Sequence, residues 1–465
     1  MASGATIVID LGKTLSKVSL WDKAGRMIDR VVRANAPVLV DGTKRLDIPG
    51  ISDWLMEALS GFSSHPVETI VPVGHGAGVV ALGDAGAAFL PLDYEQPIPD
   101  EIMAAYRQAR DPFACTGSPA LPNGLNFGSQ IYWTDQIYPE HSQSVLVPWT
   151  QYWAWFLTGR AVSEVTSLGC HSDLWHPQAG GFAPMAHRLG WADRFAPIVR
   201  ASDTVGTLNP ELSKRTGLSR QVRVLAGLHD SNAALLAARG FPEIAKNEAT
   251  VLSTGTWFIA MRLAASAMDT STLPEARDCL VNVDAYGQPV PSARFMGGRE
   301  IESVIGIDTR RVDIRPDQPA LLAAVPDVLA SGAMLLPTLA PGCGPFPTGR
   351  AKWLSEPADW YGKRAAACLY AALVADTAMD LIGTRERILV EGRFAEAEVF
   401  VRAIASLRPT CAVYTANAHN DVSFGALRLI DPDLRPQGKL VRVDPLPQDL
   451  TAYRARWLAE TQATA

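Results

Sequence analysis

The residue best placed to do chemistry is Asp230, in GLHDSNAAL, where it follows the apolar run VRVLAG and opens a helical pattern. A carboxylate between a buried strand and a helix sits at the rim of a sheet, where substrates dock, and suits proton abstraction. The same place suits a cap for the helix's free amides, a role that Ser231 also fits. His229 beside it is either a substrate contact or a residue that orients the turn. Asp10 ends TIVID and precedes a turn carrying Gly12, Lys13, Thr14, Ser16 and Lys17. It either closes that turn as an Asx motif or faces a ligand beside the turn's amides. His75 and Gly76 lie in VGHGAG, and a histidine between glycines in a loop after a strand has little packing reason to be there.

Other clusters read differently. Trp149, Tyr152, Trp153 and Trp155 offer a flat apolar wall, but Trp149, Tyr152 or Trp153, and Phe156 recur at helical spacing, which favours core. His171 and His176 have no third ligand at a recognisable spacing, and Cys170 is no nucleophile by spacing alone. Asp376 and Asp380 share a helical face and read as solvent-facing or capping residues.

The elements that must position these side chains alternate. TIVID and KVSLWD are β-forming runs around a polar turn, so a hairpin is expected. ISDWLMEALSGF reads as a helix capped by Ser52 or Asp53, and TIVPVGHGAGVVAL as a strand, a glycine loop and a strand. Two helices are expected in GLNFGSQIYWTDQ and VPWTQYWAWFLTGR. ATVLSTGTWFIAMRL then repeats the opening arrangement, with Ser253, Thr254, Gly255 and Thr256 in its turn. This echo implies two halves that break near Gly240 to Asn247. KRAAACLYAALVADTAMDLIG predicts a long helix, RILVEGRFAEAEVFVRAIA a strand, a loop at Glu391 to Arg393 and a helix, and NDVSFGALRLI a terminal helix. Buried strands feeding glycine loops indicate an α/β class.

The whole chain agrees. Its 465 residues exceed the size at which one core keeps growing, so two domains and a cleft between them are expected. A net charge of -6 with no Lys/Arg run argues against nucleic acid and favours small-molecule partners. Six scattered cysteines form neither a disulfide framework nor a zinc pattern. The opening has no signal-peptide pattern, and Asp376 and Asp380 interrupt the strongest apolar stretch, Ala365 to Leu381. A cytoplasmic protein with no membrane association is expected.

Four segments, in order, resemble those of the FGGY carbohydrate kinases of the actin, hexokinase and Hsp70 superfamily. Asp10-Leu11-Gly12 with Thr14, Ser16 and Lys17 resembles the first phosphate hairpin, His75-Gly76 the sugar loop, Gly227 to Asp230 the G-x-x-D segment, and Ser253 to Trp257 the second phosphate hairpin. The resemblance spans about residues 5 to 430. It departs at Lys13, where a small hydroxyl residue is usual, and at Glu391-Gly392-Arg393, where a glycine pair or triple is usual. SEVTSLGCHSDLW, STGTWFIAM and ARFMGGREIE look nearest to rhamnulose and fuculose kinases.

The resemblance implies two ribonuclease-H-like (actin-like ATPase) domains around a central cleft. These are residues 1–243 with the sugar site, 244–440 with the adenosine site, and a tail of 441–465. It implies ATP-dependent phosphorylation of a ketose at a primary hydroxyl. Asp230 is then the general base; His75, Gly76 and His229 join it at the sugar. Gly12, Lys13, Thr14, Ser16, Lys17, Gly255, Thr256 and Gly392 lie on ATP, and Asp10 holds Mg²⁺ through water. A glycerol- or tetritol-type polyol kinase, a non-catalytic sensor of the same fold, and an actin- or Hsp70-like ATPase are the alternatives, and a homodimer is compatible with the reading.

Overall fold

The computed structural model describes residues 4–266, 269–309, 311–416 and 422–464. Residues 1–3, and Asn420 and Asp421 of the last expected helix, lie outside the described residues. The chain forms two compact units. One is Met1–Gly240 with Val281–Pro289 and Asn420–Gln437; the other is Phe241–Leu280 with Val290–His419 and Gly438–Ala465.

The first sheet is built on the expected hairpin, β1 (Ala5–Leu11) and β2 (Leu15–Trp21), paired antiparallel with Leu11 opposite Ser16. Its other strands are β3 (Met27–Ala34), β4 (Val67–Gly74), β5 (Thr204–Thr207), β6 (Arg223–Leu225) and β7 (Leu228–His229), in the order β3-β2-β1-β4-β6-β5 with β7 also on β4. The second sheet runs β10 (Cys279–Val283), β11 (Pro289–Phe295), β9 (Phe258–Leu263), β8 (Ala249–Thr254), β12 (Arg387–Gly392), β13 (Ala412–Ala416), β14 (Leu440–Arg442). In each sheet three strands pair antiparallel (β3-β2-β1 and β11-β9-β8), two follow in parallel and an antiparallel edge strand ends the row, and the second sheet carries β10 beyond β11. The echo read in the sequence is a repeat of sheet order.

Hydrophobic alternation explains the cores. Ile7, Ile9 and Leu11 of β1 face one side of the first sheet and pack with Leu55, Leu59, Trp149, Trp153 and Leu157 of two covering helices. The aromatic helix Trp149–Thr158 is thus core, as its spacing implies. The long helix is present as Trp360–Leu381, and among the described residues no helix is long and apolar enough to cross a membrane.

Four local readings change. The helix Ile48–Gly61 is capped by Asp47, which accepts from Gly50 N, while Ser52 Oγ donates to Ile48 O at 2.8 Å inside the first turn. Asp376 is buried, with Arg408 Nε at 2.8 Å and Arg454 Nε at 2.6 Å, so the carboxylate is an ion-pair centre rather than a solvent-facing group. NDVSFGALRLI yields the helix Val422–Leu427, which is not terminal. A further helix, Thr451–Thr464, follows, in which Trp457 is fully buried and donates to Leu335 O at 2.7 Å. Few apolar residues mark that helix, and Tyr453 and Trp457, one turn apart, carry its packing.

Candidate active site

Parallel pairing gathers the candidates of the first unit at one sheet edge. Leu11 of β1 and His229 of β7 both lie opposite Gly74 of β4. Gly12, His75 and Asp230 therefore leave three adjacent strands at their carboxyl ends, where α/β sheets present functional groups. The kink that redirects β6 into β7 needs Gly227, whose φ is +74° and whose added Cβ would stand 2.0 Å from Pro72 O. Gly76 is demanded by contact: a Cβ there would meet Cys170 Sγ at 2.6 Å and His229 Nε2 at 2.9 Å.

Asp230 opens the helix Asp230–Ala238, with His229 at the cap position and no side-chain cap bond. His229 Nε2 lies 3.1 Å from Asp230 Oδ1, and Ser231 Oγ donates to the same oxygen at 3.2 Å. Both contacts steer Oδ1, and 32% of the Asp230 side chain stays open while His229 is buried. Burial alone would raise the Asp230 pKa, but the His229 charge and hydrogen bond outweigh it and hold the carboxyl below its ordinary value. Burial likewise opposes charge on His229, yet Cys170 and Asp230 outweigh it and push that imidazole well up.

His75 is of the other kind. Burial pulls its pKa down to about 4, so the ring is neutral at physiological pH. It stacks on Trp149 at 5.6 Å between centroids and meets Tyr94 edge-on at 5.4 Å. Its Nδ1 is buried without a hydrogen-bond partner. Gln130 on the helix Phe127–Ile137 donates to Ala77 O and Gly124 O at 3.1 and 2.7 Å, which leaves its Oε1 buried and likewise unpartnered. Two orphaned polar atoms against the 75–77 loop are what a polar ligand would satisfy.

The first turn holds its residues in distinct ways. Lys13 pairs with Asp93, lies 3.6 Å from Glu95 Oε2, and sits 4.8 Å from the Tyr94 ring centroid. Its departure from a small hydroxyl residue thus comes with an acidic partner. Lys17 Nζ is 3.2 Å from Oδ2 of the buried Asp10. Thr14 is exposed at the tip. Ser16 is fully buried and exchanges hydrogen bonds with Asn35, whose Nδ2 also donates to Gly12 O at 2.8 Å, so its hydroxyl helps to hold the turn.

In the second unit, Gly255 N closes the turn onto Trp257 O at 3.0 Å, and Thr256 is exposed. Gly392 lies against that turn with φ +85°, its added Cβ 2.1 Å from Thr254 O. Phe394 N donates to Thr254 Oγ1 at 3.2 Å. Arg393, in the place of a usual glycine, pairs with Glu302 at 3.1 Å.

Asp93, Tyr94 and Cys170 belong to the site's surroundings without having been candidates. The first two lie in PLDYEQPIPD, a segment without a glycine or motif signal, and Cys170 matters only through a contact with residue 229.

A family model described as carbohydrate kinase FGGY, C-terminal domain, matches residues 246–437. The probable L-xylulose kinase of Pasteurella multocida (strain Pm70) is 25% identical over 60% of this chain and 60% of its own length. The L-fuculokinase of Salmonella typhi is 25% identical over 65% of this chain and 66% of its own length. The chain thus spans about three-fifths of the length of the first of these curated relatives and less than two-thirds of the second. The crystal structure of a carbohydrate kinase from Novosphingobium aromaticivorans is 72% identical, with a TM-score of 0.97, over 100% of this chain and 99% of that one. With two sheets of one repeated order and a match of that extent, the chain belongs to the FGGY carbohydrate kinase family, with its two-domain actin-like ATPase fold.

Proposed function

We propose that the protein is an ATP-dependent sugar kinase that phosphorylates a ketose at a primary hydroxyl, with Asp230 as general base. The observation that carries this reading is the open carboxylate of Asp230, steered through Oδ1 and set at the same sheet edge as the loop of His75 and its unpartnered Nδ1. Phosphoryl transfer asks a protein to position its reactants, to neutralise charge and to receive one proton. As the sugar oxygen forms its bond to the γ-phosphorus and the bond to ADP breaks, the hydroxyl proton passes to Asp230. An ionised carboxylate is ready for it, and the hydrogen-bonded His229 stabilises that ionised form beforehand.

The neutral His75 ring and Gln130 Oε1 would take sugar hydroxyls, while Trp149 backs the His75 ring. Names of relatives that act on L-xylulose and L-fuculose favour a ketose or deoxy-ketose. By the family resemblance, the turn of Gly12 and Thr14 and that of Gly255 and Thr256, with the adjoining Gly392, are assigned to phosphate and nucleotide binding. Mg²⁺, when bound with ATP, offsets phosphate charge. Asp10 suits it by type, because Mg²⁺ prefers carboxylate oxygen, keeps water and takes phosphate oxygens.

The test is a panel of ketoses, deoxy-ketoses and polyols incubated with MgATP, with product read by mass. The proposal expects a sugar monophosphate formed one for one with ADP. Hydrolysis of ATP without sugar dependence, or a phosphorylated polyol alone, would contradict it.

A further inference from the structure

His229 Nε2 faces two groups at once. Besides Asp230 Oδ1 at 3.1 Å, it lies 3.6 Å from Cys170 Sγ. Resting on the assignment of Asp230 as base, we propose that Cys170 is a positioning residue for it: thiol and carboxylate share the Nε2–H of His229, and this keeps the imidazole turned toward Asp230.

The surroundings hold Cys170 in that place. It follows the short helix Val165–Leu168 and precedes two non-glycine residues with positive φ, His171 at +35° and Asp173 at +69°. Such backbone persists only where neighbours over-determine it. Here His171 Nδ1 is 2.9 Å from Leu125 O, and Asn126 Nδ2 donates to His171 O at 2.9 Å. Asp173 accepts from Tyr106 OH at 2.6 Å and pairs with Arg110 Nε at 2.9 Å. The other side is equally constrained. His229 N donates to Thr166 Oγ1 at 2.9 Å, Thr166 Oγ1 donates to the buried Glu164, and Asn232 Nδ2 lies 3.4 Å from His229 Nδ1. Only Gly76 leaves room for the pair to meet.

The titratable groups facing the pair are His171 and Asp230, with Glu164 reaching His229 through Thr166. Burial opposes a thiolate at Cys170, but His171 and His229 outweigh it and bring the thiol to about 6. Burial raises the five other cysteines, Cys115, Cys279, Cys343, Cys368 and Cys411. A thiolate seen near neutral pH in the intact protein is therefore that of Cys170.

The experiment titrates thiolate ultraviolet absorbance in the wild-type protein, Cys170→Ser and His229→Gln, with kinetics of Cys170→Ala and Cys170→Ser. Expected is one thiolate step near pH 6 that is absent in Cys170→Ser and moves to higher pH in His229→Gln. In Cys170→Ala, kcat falls about tenfold with sugar KM nearly unchanged, and Cys170→Ser, which keeps an acceptor, recovers part of the loss. A wild-type protein without that step, a step unmoved in His229→Gln, or a wild-type kcat in Cys170→Ala overturns the inference. The titration needs only the native chain and these two variants. Failure of the base assignment shows separately, as activity retained in Asp230→Asn.

Discussion

Substituting Gly76 by alanine probes the packing on which the site rests. Gly76 does not need its freedom for backbone reasons, since its φ is not among the positive ones. The consequence of Gly76→Ala is thus steric: the new Cβ would lie 2.6 Å from Cys170 Sγ and 2.9 Å from Cδ2 and Nε2 of His229. Carbon contacts settle at about 3.5 to 4.0 Å, so both neighbours must retreat, each by about 1 Å. Both are buried, and His229 is tied behind to Thr166. Overpacking of this kind costs about 1 to 3 kcal/mol. A ring displaced by about 1 Å releases Oδ1 of Asp230, and misplacement of that size costs about a hundredfold in rate. Urea unfolding and an ADP-coupled assay measure the two losses. Gly255→Ala serves as the control, because its nearest neighbour would be Trp257 O at 3.7 Å, and its stability should stay within about 0.5 kcal/mol. A Gly76→Ala protein with wild-type kcat and unfolding midpoint refutes the reasoning.

Two further outcomes concern stability. His75 is depressed to about 4 in the folded state, whereas the unfolded chain protonates it near its ordinary value of 6.5. Between those values the unfolded state binds the extra proton, so stability is lost as pH falls through that window. At about 1.4 kcal/mol per unit the loss approaches 3 kcal/mol, and urea midpoints at pH 7 and pH 4.5 should converge in His75→Gln relative to wild type. Glu300 is buried and accepts from Thr338 Oγ1 at 2.7 Å, from Leu339 N and Ala340 N at 3.1 Å, and from Tyr370 OH at 3.1 Å. Glu300→Ala strands these donors and should cost about 3 kcal/mol or more by denaturant unfolding.

Much of this was legible because it is local. Alternating apolar residues around glycine turns mark β1 with β2 and β8 with β9, and the aromatic helix carries its period on its face. The meeting of His75 with Asp230 depends on β7 pairing with β4, a contact that spacing does not reveal and that the family resemblance supplied. Asp376 was misread because its partners, Arg408 and Arg454, stand 32 and 78 residues further on. Ser16 looks like any turn hydroxyl until Asn35 claims it. Cys170 depends on the backbone between Gly169 and Leu174, whose positive φ values no residue type there announces.

The most direct test of the account is a single turnover of Asp230→Asn, at saturating MgATP, with the sugar that the panel selects. Asparagine keeps the shape of the carboxylate but cannot take a proton at neutral pH. The account expects both substrates to bind with about wild-type affinity while phosphoryl transfer slows by a factor of about 10² to 10⁴. Transfer at the wild-type rate, with binding intact, would contradict it.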